Sequence, residues 1–264
     1  MEVWSFYAIS KSLFSTMNPY AAAVSLLKGP ANTKAAPAPS QFSPWLMSLV
    51  YPLGRYGLLP AYFKSMEVTG QEHLPKSGPI ILAPTHRARW DALMVPYAAG
   101  RYVTGRDLRF MVTASEVVGF QGLLMRNTGA FPVDTDRPAI SSLRHGMELL
   151  QRGEILVIFP EGNLFYDREI QPLKPGLARL ALQTEASQPG LGLKVVPMAL
   201  HYDPIQPRWR SKVSIRIGEP LHVDSYEVDS IKRSAQVMTN DLEAALKKLA
   251  MTPEVETTRS TVQR

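Results

Sequence analysis

Seven short apolar runs, alternating with longer segments of helical period, constrain this chain more than any other feature. The strand-forming runs lie at 66–69, 80–83, 109–112, 130–133, 155–159, 194–200 and 213–217. Helices are expected at 90–100, 116–126, 138–152, 174–184 and 230–249. Strands bracketing helices over this length predict an α/β domain, with a mostly parallel or mixed sheet flanked by helices. Pro132 argues against a central position for its strand, because proline donates nothing to a ladder. Pro138 suits the first position of its helix, where a missing N–H costs nothing. In the last helix Ile231, Val237, Leu242, Ala245, Leu246 and Leu249 make an apolar stripe expected to face the core.

At 264 residues the chain has room for one sizeable domain and an appendage. The composition divides it further into a segment 1–27 of uncertain order, a Pro/Ala-rich linker 28–41, a segment 42–64, a domain 65–250 and a tail 251–264. The start of the chain, with Glu2 and no basic region, makes a poor signal peptide. The absence of cysteine removes disulfides, thiolate metal sites and cysteine nucleophiles together. His73, His145, His201 and His222 show no ligand-like spacing to carboxylates, so no metal is expected. A formal charge of +6 points to an anionic partner. Nucleic acid is disfavoured, because the basic residues are scattered and no recognition motif is present. An anionic bilayer or a phosphorylated substrate suits the charge equally well.

No segment reads as a clean transmembrane helix. The best candidate, 42–63, is interrupted by Pro44, Pro52 and Pro60 and contains Arg55. It is expected to form one or two short helices in a membrane interface, with Trp45, Tyr51, Tyr56 and Tyr62 at headgroup level. The alternative is a helical hairpin packed on the protein's own core.

Chemistry enters at His86-Arg-Ala-Arg-Trp-Asp91, directly after the run Ile80-Ile-Leu-Ala83. A histidine oriented by a carboxylate can serve as a general base at neutral pH. Residues five apart on a regular helix stand about 140° apart, so the two could not meet on one helix. They can meet if His86 closes a strand and a helix opens near Asp91. Glu161 likewise follows an apolar run, so two candidates fall at the carboxyl ends of strands, where sites in open α/β sheets gather. A serine nucleophile has no anchor, since no Gly-x-Ser-x-Gly elbow occurs.

Further segments extend the pattern: Gly129-Ala-Phe-Pro-Val-Asp-Thr-Asp-Arg137, then Phe159-Pro-Glu-Gly162-Asn163, then Val195-Val196-Pro197. This ordered set resembles the HxxxxD-type glycerolipid acyltransferases, most closely the 1-acylglycerol-3-phosphate acyltransferases, over about residues 65 to 220. Two departures stand out. Thr135 occupies the place where that family puts its second-block arginine, and Arg137 comes two residues later. The third block reads Asn163-Leu164 where Thr-Arg is usual.

The resemblance implies a function and a site. His86 is the base and Asp91 its orienting partner in a transfer that needs no covalent acyl-enzyme. Glu161, Gly162 and Asn163 shape the glycerol-phosphate site, with Glu161-Gly162 otherwise read as a plain turn. Arg137, Arg168 and Lys174 are candidates to hold the phosphate, the two arginines otherwise being solvated surface residues. Arg87 or Arg89 could meet phosphate or thioester carrier. Val196 and Pro197 line the acyl pocket or else belong to the core. The implied reaction moves a fatty acyl group to the free hydroxyl of 1-acylglycerol-3-phosphate, forming phosphatidate. The donor would be a thioester of acyl-carrier protein or coenzyme A, a substrate, with no cofactor. The rivals are the same chemistry on another lysophospholipid or alcohol, and a non-catalytic lipid-binding protein. The expected location is peripheral, on the cytoplasmic face of a membrane.

Overall fold

The computed structural model describes residues 44–113, 129–133, 140–227 and 230–251. The sequence readings for 1–43, the helix at 116–126, Arg137, Pro138 and the tail beyond 251 lie outside these residues.

Eight strands form one mixed sheet: β1 (Ser65–Thr69), β2 (Ile80–Pro84), β3 (Leu108–Thr113), β4 (Ala130–Val133), β5 (Ile155–Val157), β6 (Lys194–Asp203), β7 (Lys212–Ile217) and β8 (Leu221–His222). The order is β1-β7-β6-β2-β5-β3-β4, with β8 also on β6. The five strands β6, β2, β5, β3 and β4 run parallel, while β7 and β8 pair antiparallel with β6 and β1 runs parallel to β7. All seven expected strands are present, and Pro132 sits in β4, at the sheet's end.

Burial follows from position. All five residues of β2 are buried, as a strand covered on both faces requires. In β7 burial alternates, with Val213, Ile215 and Ile217 facing the core and Ser214 and Arg216 turned the other way. One face of the sheet packs on α3 (Asp91–Ala99) through Met94, Val95, Ala98 and Ala99. The other packs on α5 (Ile140–Gln151), α6 (Gly176–Ser187) and α7 (Ile231–Met251). The result is three layers, helix on sheet on helix.

The inward face of α7 is Ser234, Ala235, Met238, Thr239, Leu242 and Leu246. Val237 is exposed, against expectation, because it stands about 140° from the centre of that buried face on the helical wheel.

The segment before β1 is helical throughout, from α1 (Pro44–Pro52) through a π-helical stretch, Leu53–Leu58, into α2 (Leu59–Tyr62). The prolines therefore do not split it: Pro60 lies in the first turn of α2, where its missing N–H is harmless. The element packs one face on the domain, burying Met47, Tyr51, Leu59 and Phe63. Tyr51 lies against Gly100, where a Cβ would meet its ring, and the Arg55 guanidinium sits 4.6 Å from the Tyr97 ring centre. The Tyr62 and Trp90 ring centres are 4.3 Å apart. Tyr51 and Tyr62 thus face the protein and not a headgroup layer. The outward face carries Trp45, Leu49, Leu53, Tyr56 and Leu58, all exposed. Between α3 and β3 runs the short α4 (Arg101–Thr104).

Candidate active site

β2 ends at Pro84, and the chain turns through Thr85–Trp90 before α3 opens on Asp91. Thr85 fixes the exit: its N–H donates to the Met198 carbonyl at 2.9 Å, and its Oγ1 accepts the Leu200 N–H at 2.9 Å. The tight turn folds His86 back over the first turn of the helix. There the His86 Nδ1 lies 2.9 Å from Asp91 Oδ2, with the imidazole 24% exposed and the carboxylate wholly buried.

A buried carboxylate survives only when its oxygens are satisfied. Asp91 Oδ2 also accepts the N–H groups of Arg87 at 2.7 Å and Ala88 at 2.9 Å. Its Oδ1 accepts the Tyr202 hydroxyl at 2.6 Å. The start of α3 adds favourable dipole to the negative charge. Tyr202 remains a donor, because burial, and after it the charge of Asp91, pushes its phenol well above the ordinary value.

With a carboxylate on Nδ1, that nitrogen carries the proton. Nε2, free of hydrogen-bond partners among the described residues, is then able to accept one. Phe159 holds the ring from one side, with centroids 4.1 Å apart and planes at 24°.

A second buried pair ties the loop after β5 to this turn. Glu161, 3% exposed, accepts Arg87 Nη1 and Nη2 at 2.8 Å each, the His86 N–H at 3.0 Å and the Gln171 N–H at 3.0 Å. Arg87 Nη2 also donates to the Glu169 carbonyl, and the Phe165 N–H to the His86 carbonyl. The loop is thereby laced across the back of His86. Both Nη atoms of Arg87 thus have protein acceptors, and Glu161 spends its acceptors on protein donors, so it shapes the site from beneath.

Gly162 turns at φ +76°, and Lys174 lies across it: a Cβ there would sit 2.7 Å from Lys174 Cε. Asn163, the next residue, is exposed, and so is Arg89 on the turn after β2. Arg168 is exposed too, and lines a cleft of about 410 Å³ between its loop, β6 and the end of α7. That cleft is lined by Arg87 but by neither His86 nor Asp91. Val196 and Pro197 are buried inside β6, paired with Leu82 and Ala83. Val196 belongs to the hydrophobic core cluster beneath α3. Among the described residues no group of three or more potential metal ligands converges.

The sequence reading missed Tyr202, the locking role of Arg87, and Phe159 as the platform for His86. An arginine and a glutamate that both abut proposed site residues were the only hint of the ion pair. Tyr202 had no local signal, being 111 positions from its partner.

An open α/β sheet with an Asp-oriented histidine at a strand's carboxyl end is an arrangement suited to general-base chemistry. The chain belongs to the acyltransferase family, whose model matches residues 65–201. Within that family it is 29% identical over 196 residues to the 1-acyl-sn-glycerol-3-phosphate acyltransferase of Bacillus subtilis, covering 70% of this chain and 87% of that one. With the Saccharomyces cerevisiae protein of the same name it shares 25% identity over 206 residues, 73% of this chain and 63% of the yeast protein. The crystal structure of the 1-acyl-sn-glycerophosphate acyltransferase PlsC from Thermotoga maritima matches with a TM-score of 0.59 at 18% identity, over 79% of this chain and 81% of the other.

Proposed function

We propose that this acyltransferase moves a fatty acyl group from a thioester to the free hydroxyl of 1-acylglycerol-3-phosphate, forming phosphatidate. The observation that carries the chemistry is the His86–Asp91 pair, with Nδ1 committed to the carboxylate and Nε2 free to work. The acceptor is drawn from the names of the bacterial and yeast relatives.

In the reaction, the acceptor hydroxyl gives its proton to His86 Nε2 as its oxygen attacks the thioester carbonyl. The carbon–sulfur bond then breaks, and the protonated imidazole returns the proton to the departing thiolate. Ester and free thiol result, with Asp91 stabilising the transient imidazolium. Lys174, Arg168, Arg137 and the exposed backbone around Gly162 and Asn163 are the groups proposed to receive the phosphate and glycerol. The exposed apolar side chains of the N-terminal helical element, with the net charge of +6, support docking on an anionic cytoplasmic membrane surface. Among the described residues no helix is long and apolar enough to cross a membrane.

The test is turnover of purified protein with acyl-carrier protein and coenzyme A thioesters against a panel of lysophosphatidate, other lysophospholipids and neutral alcohols. Preferential acylation of lysophosphatidate is expected. Equal use of phosphate-free acceptors would move the assignment to the other acceptor class, a reading favoured by Leu164 standing where the family places arginine.

A further inference from the structure

Strand β6 is longer than its parallel neighbour, and the excess reaches the catalytic turn. Its first five residues, Lys194–Met198, pair with Ile80–Pro84 of β2. There β2 ends, and β6 continues to Asp203 with β7 as its only strand partner among the described residues. Alternation places Val196, Met198, Leu200 and Tyr202 on the face beneath α3. Tyr202 is the last of this series, so its side chain stands beyond the end of β2, under the first turn of α3. Its ring is walled by Phe63, 6.1 Å between centroids, and its hydroxyl reaches Asp91 Oδ1 at 2.6 Å.

The two oxygens of Asp91 are served unequally. Oδ2 takes His86 Nδ1 and two backbone N–H groups, all from the local turn. Among the described residues, Oδ1 has Tyr202 as its only donor. We infer that Tyr202 is a positioning residue for catalysis: it pins the free oxygen of Asp91, and so holds the carboxylate at the rotation in which Oδ2 meets His86. This inference rests on the assignment of His86 as the base. Without the hydroxyl, the carboxylate keeps one wholly buried oxygen without a partner and gains a reason to turn, loosening the imidazole in the geometry the transition state needs. Tyr202 is only 2% exposed and commits its hydroxyl to Asp91, so the loss is expected in kcat and not in KM.

The experiment is a double-mutant cycle on the full chain. Tyr202→Phe removes one oxygen and keeps the ring against Phe63, and its thermal unfolding is measured alongside. Expected is a kcat lowered about 10-fold, with KM for acceptor and donor each within about 2-fold of wild type. In an Asp91→Asn background the same change should cost nothing further, because the charge it positions is already gone. Three results overturn the inference: a Tyr202→Phe enzyme with wild-type kcat, a loss confined to KM, or a full additional 10-fold loss in the Asp91→Asn background. A wild type that turns over, a dead His86→Ala and a fully active Tyr202→Phe would sink the role of Tyr202 alone. A wild type inactive on every acceptor would sink the proposed function, and this inference with it.

Discussion

Glu161→Gln is the sharpest test of how the site is built, because the substitution preserves shape while removing one charge. The Glu161 carboxylate is wholly buried and the Arg87 side chain only 5% exposed. Oε2 accepts the His86 N–H and Arg87 Nη1, while Oε1 accepts Arg87 Nη2 and the Gln171 N–H. Whichever oxygen becomes an NH2 group, one guanidinium contact and one backbone contact turn into donor facing donor. The guanidinium also loses its counter-charge while only 5% exposed. Breaking a buried pair by removing one partner costs about 3–5 kcal/mol, a large part of the roughly 5–15 kcal/mol that holds a domain folded. At about 2 kcal/mol per molar of urea, the unfolding midpoint should fall by about 2 M. The assay is urea denaturation followed by circular dichroism. Adding Arg87→Met removes the stranded charge, and the deficit should shrink to about 1–3 kcal/mol, the cost of a backbone N–H left facing an amide. The reasoning fails if Glu161→Gln lies within 1 kcal/mol of wild type, or if the double variant is no more stable than the single one. The exposed Lys247–Glu243 pair on α7, by contrast, should be worth under about 0.5 kcal/mol when either partner is replaced.

His86→Ala should lower kcat at least about 10²-fold in steady-state assays while thermal unfolding stays near wild type. Replacing Trp45, Leu49 and Leu53 together by serine should release the protein from anionic vesicles in a flotation assay, and these exposed sites leave the core untouched, unlike a deletion that would take Leu59 and Phe63 with it. Arg137→Ala should raise KM for lysophosphatidate roughly 10- to 150-fold with little change in kcat, as a ground-state phosphate contact requires; Arg168→Ala should do the same only if it replaces the arginine missing at Leu164. Burial, with Asp107 adding to it, pushes the Tyr51 phenol from 10.0 up to about 12. A raised folded-state value favours the fold while the phenol is protonated, so this contribution is whole below about pH 10 and is lost as pH rises through about 12, roughly 3 kcal/mol in all. Urea midpoints of Tyr51→Phe should accordingly fall less steeply between pH 10 and 12 than those of wild type.

The local pattern of the chain determined the strands, the turn and the nearness of His86 to Asp91. These depend on neighbours within a few residues: an apolar run to make β2, a five-residue step across a strand–turn–helix corner, and Pro132 to keep β4 out of the sheet's middle. Tertiary structure alone decided which way an amphipathic residue faces once several surfaces compete for it. Tyr51 and Tyr62 pack on the domain, Val237 turns outward and Val196 fills the core, although composition allows each the opposite. The two interactions that hold the catalytic pair, Glu161 to Arg87 and Tyr202 to Asp91, span 74 and 111 positions in the chain. They exist because the sheet sets β5 and β6 on either side of β2. That adjacency is a property of strand order, and no local period encodes it.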